Sequence, residues 1–169
     1  MLMTNALALR SLAPLAANAG ALSNPDCVLS GFPEYATGPE SLAADQQQAL
    51  RRMAALIARS RAGFNPVVAA IVVGHADKAL RKAVGERAAF EHDVSQRRAT
   101  AAAERLVGEL IAESHGAHYA KVFRTLAIGI GNARPRFANA ANEVQMQQNR
   151  RVEITLLSCW TGLPSCGTH

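Results

Sequence analysis

Two oppositely charged residues, Asp77 and Arg98, occupy positions from which they could bind a ligand. Asp77 follows an apolar run that ends at Gly74, and we predict that Arg97 and Arg98 lie in the first turn of the next helix. That turn is the positive end of the helix dipole, so a cation there is mildly unfavourable. A guanidinium suits planar, two-pronged recognition of carboxylate or phosphate. The alternative is that one Arg pairs with a nearby acid and the other is solvated.

The composition fits one domain of ordinary size that is built around a hydrophobic core. The 169 residues are 49% hydrophobic and 18% charged, with a net charge of +5. Most basic residues are Arg, which favours acidic partners. Basic doublets are scattered at 51–52, 97–98 and 150–151, and no run is dense enough for a nucleic-acid-binding arm. We therefore expect no nucleic-acid partner.

The cysteines and the chain ends bear on location. The three cysteines form no CxxC motif and allow one disulfide with one free thiol. No run of about 18 apolar residues predicts a transmembrane helix, and the N-terminus is a poor signal peptide. We divide the chain into an N-terminal extension or linker (1–26), a domain (27–158) and a C-terminal tail (159–169).

Hydrophobic periodicity predicts four strands and two long helices. Strands are predicted over 27–32, 67–73, 123–128 and 151–156; helices are predicted over 42–60, 95–114 and, as a short one, 137–148. Asp93 or Ser95 is the predicted N-cap of the second helix. The β-branched run 67–73 is typical of a strand buried on both faces. The order β-α-β-α-β-β predicts an α+β fold with the helices packed on one face of a four-stranded mixed sheet.

Four segments together resemble one protein family. They are Val72–Asp77 (VVGHAD), Val94–Ala99 (VSQRRA), Gly129–Pro135 (GIGNARP) and Asn149–Ile154 (NRRVEI). In this order they are similar to motifs of the OmpA-like, peptidoglycan-binding domain of outer-membrane proteins, peptidoglycan-associated lipoproteins and flagellar stator proteins. The resemblance covers roughly residues 27 to 157.

The resemblance implies a ligand and a site. In that family the residues matching Asp77 and Arg98 hold the diaminopimelate of the peptidoglycan stem peptide. Its free end is zwitterionic, with an ammonium for Asp77 and a carboxylate for Arg98, and helix-start N–H groups would assist. With Ala76, Glu91 and Val94, they form the expected ligand-binding set.

The implied role is non-catalytic anchoring of an envelope protein or assembly to the wall. The expected location is the periplasm or cell envelope, with other envelope proteins as further partners. Glu91 replaces the family's Asn, Val94 replaces its Leu, and the segment 78–93 is longer than usual. The alternative is therefore an OmpA-like fold that has lost peptidoglycan binding and serves as a protein-interaction or assembly domain.

Other functions find less support in the sequence. No nucleophile or phosphate-loop motif predicts an enzyme, and we expect no cofactor. His115 and His118 have loose metal-ligand spacing without an evident third ligand, so no metal is expected. If the first and last strands are antiparallel neighbours, as in the family, Cys27 and Cys159 could form a disulfide.

Overall fold

A computed structural model of the chain describes residues 25–113 and 116–159. It contains a four-stranded sheet made of β1 (Cys27–Ser30), β2 (Val67–Gly74), β3 (Arg124–Gly129) and β4 (Arg151–Ser158). The helices are α1 (Ala44–Ser60), α2 (Arg87–Ala112), α3 (Gly116–Tyr119) and α4 (Glu143–Asn149). Single 3-10 turns lie at Pro39–Ser41 and Val84–Glu86.

The sheet is mixed, with strand order β1-β4-β2-β3. β2 and β3 are parallel, while β4 is antiparallel to both β1 and β2. The predicted α+β class and four-stranded mixed sheet are confirmed, as is the antiparallel pairing of the first and last strands. Because β2 and β3 are parallel, their carboxyl ends meet at one edge, at the pair Gly74 and Gly129.

Small residues bring the helices close to the sheet and to each other. In α2 the helical spacing of Ala and Leu residues predicts a buried stripe, and all of its members are buried: Ala99, Ala102, Ala103, Leu106 and Leu110. In α1 the three- and four-residue spacing of the apolar residues predicts a buried stripe that includes Leu56. Leu50, Met53 and Ile57 enter the core, but Leu56 is exposed, so its predicted burial is wrong. β2 is buried except at Val68, where a register irregularity turns the strand.

The second long helix spans Arg87–Ala112 and so starts eight residues before the predicted start at Ser95. Ser95 and Asp93 are therefore not N-caps, and Arg98 lies in the middle of α2. The segment 87–94 continues the helical pattern without a break, and the cap-like residues bond to other parts of the helix and sheet. The explanation of Arg98 through free N–H groups at a helix start is wrong.

Two glycines let α2 rest directly on the carboxyl ends of β2 and β3. A Cβ added to Gly74 would lie 1.9 Å from the carbonyl oxygen of Ser95. A Cβ added to Gly129 would lie 2.3 Å from the amide nitrogen of Gln96. Any larger residue would push the helix away, so these glycines fix how deeply the middle of α2 sits over the sheet edge.

The predicted cysteine pairing is wrong. Cys27 is a free thiol at the start of β1, whereas Cys159 is disulfide-bonded. Predictions for residues 1–24, His115 and residues 160–169 lie outside the described residues. Among the helices of the described ranges, none combines the length and apolar character that a bilayer crossing requires.

Candidate functional site

Side chains from the middle of α2 bond to the loops at the carboxyl edge of the sheet. Ser95 Oγ donates to the His92 carbonyl (2.8 Å) and accepts from the Gly131 N–H (2.8 Å). Gln96 Oε1 accepts from the Gly129 N–H at 2.8 Å. These bonds fix the loop after β3 to the helix turn that carries Arg98.

Arg98 is 1% exposed and makes its hydrogen bonds to main-chain carbonyls. Its Nε donates to Ala36 (2.8 Å), its Nη1 to His75 (3.0 Å) and its Nη2 to Pro33 (3.4 Å). The guanidinium also lies over the Phe32 ring, 5.3 Å from the centroid. Arg98 thus holds the 33–36 turn against β2, and because a guanidinium has five N–H donors, two remain for a ligand.

The electrostatics keep Arg98 charged. Burial lowers the pKa of Arg98 to about 10; the Asp77 carboxylate acts to raise it, and the Arg150 cation acts to lower it. The guanidinium therefore remains protonated at neutral pH and presents a desolvated positive charge, which binds anions more strongly than a solvated one.

At Asp77 the chain has left β2 and runs between β4 and the loop after β3. The two residues before it are held by main-chain bonds, from the His75 N–H to the Arg151 carbonyl (2.9 Å) and from the Ala76 N–H to the Gly131 carbonyl (2.9 Å). The carboxylate therefore occupies a fixed position at the carboxyl end of β2, where the sequence motif predicted it.

Asp77 pairs with a buried arginine that the sequence reasoning did not select. Arg150 Nη1 donates to Asp77 Oδ2 at 2.8 Å, and Arg150 Nε donates to the Phe32 carbonyl at 2.7 Å. Arg150 also contacts the Glu143 carboxylate. Arg150 is 1% exposed, so this ion pair is largely withdrawn from water. Asp77 Oδ1 is the oxygen that remains for a ligand cation.

Glu91 has a structural partner in the segment that follows Asp77. Its Oε1 accepts from the Ala79 N–H at 2.8 Å, which ties the start of the long 78–86 segment to the first turns of α2. Lys82 Nζ lies 4.8 Å from the centroid of the Phe90 ring, and Arg81 pairs with Glu34 at 3.4 Å. The segment is therefore fastened to both sides of the Asp77–Arg98 region.

The five residues predicted to bind a ligand line a single pocket, which we call the Arg98 pocket: Ala76, Asp77, Glu91, Val94 and Arg98. Its free volume is about 20 Å³, enough for a water molecule or two rather than an amino acid. Tyr35 and Phe90 complete its wall and meet edge to face, with centroids 5.5 Å apart.

Tyr35 carries backbone strain at the rim of the Arg98 pocket. Its φ is +66°, a left-handed conformation that a bulky aromatic residue rarely adopts. The turn is maintained because the carbonyls of Pro33 and Ala36 bond to the buried Arg98 guanidinium. Strained, over-determined backbone of this kind is concentrated at binding sites.

The buried His75 contacts the partly buried Glu153 beside the pocket. His75 Nε2 lies 3.2 Å from Glu153 Oε2, although the atoms lack the alignment of a full hydrogen bond. Burial lowers the pKa of His75, so the ring is neutral at pH 7. The contact with His75, and then that with Arg151, lowers the pKa of Glu153 to about 2. His75 is 2% exposed and packs at the carboxyl end of β2.

Arg97 pairs with a nearby acid, as the alternative interpretation of the two arginines predicts for one of them. It is exposed and pairs with Asp93 at 2.9 Å across one helical turn, whereas its neighbour Arg98 is buried. Within residues 25–113 and 116–159, no group of three potential ligands could hold a metal ion.

Taken together, these features define an α+β domain with a small, charged pocket at the carboxyl edge of its sheet. Comparison with solved structures gives the same fold. The C-terminal domain of Helicobacter pylori MotB (residues 125–256) is 16% identical, with a TM-score of 0.52, over 79% of this chain and 84% of that one. A longer periplasmic fragment of that protein (residues 90–256) gives 0.51 at 17% identity, over 78% and 72%.

Two further neighbours have lower TM-scores. The peptidoglycan-associated lipoprotein from Burkholderia pseudomallei is 18% identical over 86% of this chain and 99% of that one, with a TM-score of 0.48. The cell wall anchor of the T6SS from Pseudomonas aeruginosa is 22% identical over 88% and 96%, with a TM-score of 0.47. No protein-family model and no curated protein sequence matches the chain. The resemblance predicted from the sequence is confirmed at the level of the fold.

Proposed function

We propose that this domain binds cell-wall peptidoglycan without catalysis, through the diaminopimelate of the stem peptide, and so anchors an envelope protein or assembly to the wall. The observation that carries the proposal is that the five residues selected from the sequence line one pocket with opposite charges, the Asp77 carboxylate and the Arg98 guanidinium. A periplasmic location accompanies this proposal, supported by the fold shared with a periplasmic MotB domain.

The charges suit a zwitterionic amino-acid end. Arg98 has two N–H groups beyond its three carbonyl bonds, and these can bind a carboxylate as a charge-assisted pair. Asp77 Oδ1 can accept from an ammonium while Oδ2 remains bonded to Arg150. A ligand that carries both charges can bond to Arg98 and to Asp77 Oδ1 at once, whereas an ion of one sign can bond favourably to only one of them.

The pocket must widen to admit this ligand, since its free volume is about 20 Å³. The wall that can move is the one formed by Tyr35, which is 45% exposed, Phe90 and the segment 78–86. Arg98 is held by the His75 carbonyl and by the main chain of the 33–36 turn, so the part of Tyr35 that can move is its side chain. Asp77 is held by Arg150. Binding is therefore expected to displace the outer wall while the charged residues keep their positions.

The test is co-sedimentation of the protein with purified sacculi, with free diaminopimelate as competitor. Asp77→Asn and Arg98→Lys should abolish retention. Their matched controls, Asp93→Asn and Arg97→Lys, alter an exposed ion pair in the same helix and should keep it. Circular dichroism establishes that each variant is folded, which matters most for Arg98 because it also supports the 33–36 turn.

If all four variants sediment with sacculi equally well, Asp77 and Arg98 are not part of the binding site. Failure of the folded wild-type protein to sediment with sacculi would refute the proposal as a whole. Competition by free diaminopimelate, but not by lysine, is the expected sign that both charges of the zwitterionic end are recognised.

A second function, that of an assembly domain without peptidoglycan binding, is favoured by one feature. The pocket is closed by the 78–86 segment, and this segment exposes two apolar side chains, Leu80 (58%) and Val84 (78%). A protein surface that covered them would gain apolar burial. Under this alternative, Leu80→Ser with Val84→Ser abolishes partner capture, while the Asp77 and Arg98 variants have no effect.

A further inference from the structure

A second pocket lies on the other side of Asp77 and is distinct from the Arg98 pocket. Its volume is about 240 Å³, and it opens beside the loop that follows β3. Asp77 and Lys78 line both pockets, so the two share a wall. We call this second cavity the Asn132 pocket. Its volume is below the roughly 300–1,000 Å³ of pockets for drug-sized ligands and suits one small residue.

The lining of the Asn132 pocket is neutral beyond the shared wall. Apart from Asp77 and Lys78, its lining residues carry no ionisable side chain. Leu80, Phe137 and Met146 supply apolar surface. Away from the shared wall, an anionic or cationic group would lose its hydration without a partner of opposite charge, so that part of the pocket selects an uncharged group.

The asparagine that names the pocket has an unsatisfied acceptor. Asn132 Oδ1 is buried and has no hydrogen-bond partner among the described residues. A buried acceptor without a donor is costly, so a ligand N–H that satisfied it would be favoured. The terminal torsion of an Asn side chain is broad, so the amide can turn toward a ligand at little cost.

The pocket is held in shape before any ligand arrives. Asn149, which is 3% exposed, clamps the main chain of Phe137 through two 2.9 Å bonds, one donated and one accepted. Arg151 Nη2 donates to the Arg134 carbonyl at 3.1 Å within the same loop. A cavity fixed by such bonds does not need to be ordered on binding, which reduces the entropic cost.

We infer that the Asn132 pocket binds the alanine that follows diaminopimelate in the stem peptide. This inference rests on the proposed function and names the part of the ligand that the Arg98 pocket does not hold. An alanyl residue has one peptide N–H for the Asn132 acceptor and one methyl group for the apolar wall. With the zwitterionic end in the Arg98 pocket, the chain crosses Asp77 into the Asn132 pocket. The domain therefore prefers stems that retain this alanine.

Calorimetric titration with two sugar-free stem peptides tests the inference. One is the tripeptide that ends in diaminopimelate, and the other is the tetrapeptide with the following D-alanine; both carry a C-terminal amide, so that no carboxylate enters the neutral pocket. One hydrogen bond and one buried methyl group should make the tetrapeptide roughly tenfold tighter for the wild-type protein. Asn132→Ala, and Ala138→Trp, which fills the cavity from its exposed rim, should reduce the tetrapeptide to the affinity of the tripeptide. Neither variant should change tripeptide binding.

The outcomes separate this inference from the proposed function. Equal affinity of the wild-type protein for the two peptides, or a preference that both variants keep, overturns the inference while tripeptide binding upholds the proposed function. A preference that appears only with the disaccharide attached assigns the pocket to sugar and also overturns it. Failure of both peptides to bind refutes the proposed function and the inference together.

Discussion

The buried pair of Arg150 and Asp77 should be the most costly polar contact of the site to break. Replacing Arg150 by Met keeps most of the apolar stem and removes the guanidinium. Two charge-assisted bonds are lost, to Asp77 and to the Phe32 carbonyl, each worth about 1.5–3 kcal/mol. The Glu143 side chain is 60% exposed, so that contact adds less than about 1 kcal/mol. The expected loss in the free energy of unfolding is about 3–5 kcal/mol, as for other broken buried pairs.

Urea unfolding followed by circular dichroism measures this loss as a lower midpoint with an unchanged slope. Asp77→Asn retains a neutral acceptor for Arg150 and should cost only about 1 kcal/mol. In the double variant the two losses should fall short of additivity by about 1–2 kcal/mol, the signature of direct contact. Arg97→Met is the exposed control and should change stability by less than about 0.5 kcal/mol. A loss below about 1 kcal/mol for Arg150→Met, or strict additivity, would refute the buried pair.

Three further perturbations have defined outcomes. Glu91→Ala removes one hydrogen bond worth about 1 kcal/mol. Amide hydrogen exchange across residues 78–86, measured by mass spectrometry, should therefore become about fivefold faster. Unchanged exchange would mean that this bond does not hold the segment in place. Gly74→Ala should lower the free energy of unfolding by at least about 2 kcal/mol, measured by thermal unfolding. Gly108 has open space around it, so Gly108→Ala should stabilise α2 by up to about 1 kcal/mol. Similar shifts for the two variants would contradict the close helix–sheet contact. Because burial lowers the pKa of His75, its contribution to stability is present above the unfolded pKa of 6.5 and is lost as the pH falls below that value. His75→Gln should therefore reduce the fall in the free energy of unfolding between about pH 7 and 5. The control His118→Gln, at an exposed position, should leave that fall unchanged.

The fold could be predicted largely because its signals are local. The β-branched run of β2 and the alanine stripe of α2 each dictate burial by spacing alone. The pairing of β1 with β4 was expected only through the family resemblance. Leu56 lies beside the buried stripe of α1, and its spacing alone does not distinguish it from the buried positions Met53 and Ile57.

The five residues selected from the sequence do line one pocket, but the sequence did not predict the hydrogen bonds and ion pairs around them. The predicted start of α2 at Ser95 was wrong because Asp93 and Ser95 are typical N-cap residues. Only the tertiary structure shows that Ser95 bonds to the loop after β3 instead. The pairing of Asp77 with Arg150 joins residues 73 positions apart, and no local pattern encodes it.

The two buried arginines have a mechanical consequence. The chain runs from Cys27 along β1 toward the Arg98 pocket, and β1 is antiparallel to β4 over four residue pairs. A pull applied at Asp26 against a ligand fixed in the pocket would act along the strand, so the ladder bonds would be loaded together in shear instead of opening one by one. The segment just beyond β1 is tied down by Arg150 at Phe32 and by Arg98 at Pro33 and Ala36. The residues that shape the pocket therefore also strengthen the path along which tension would reach it.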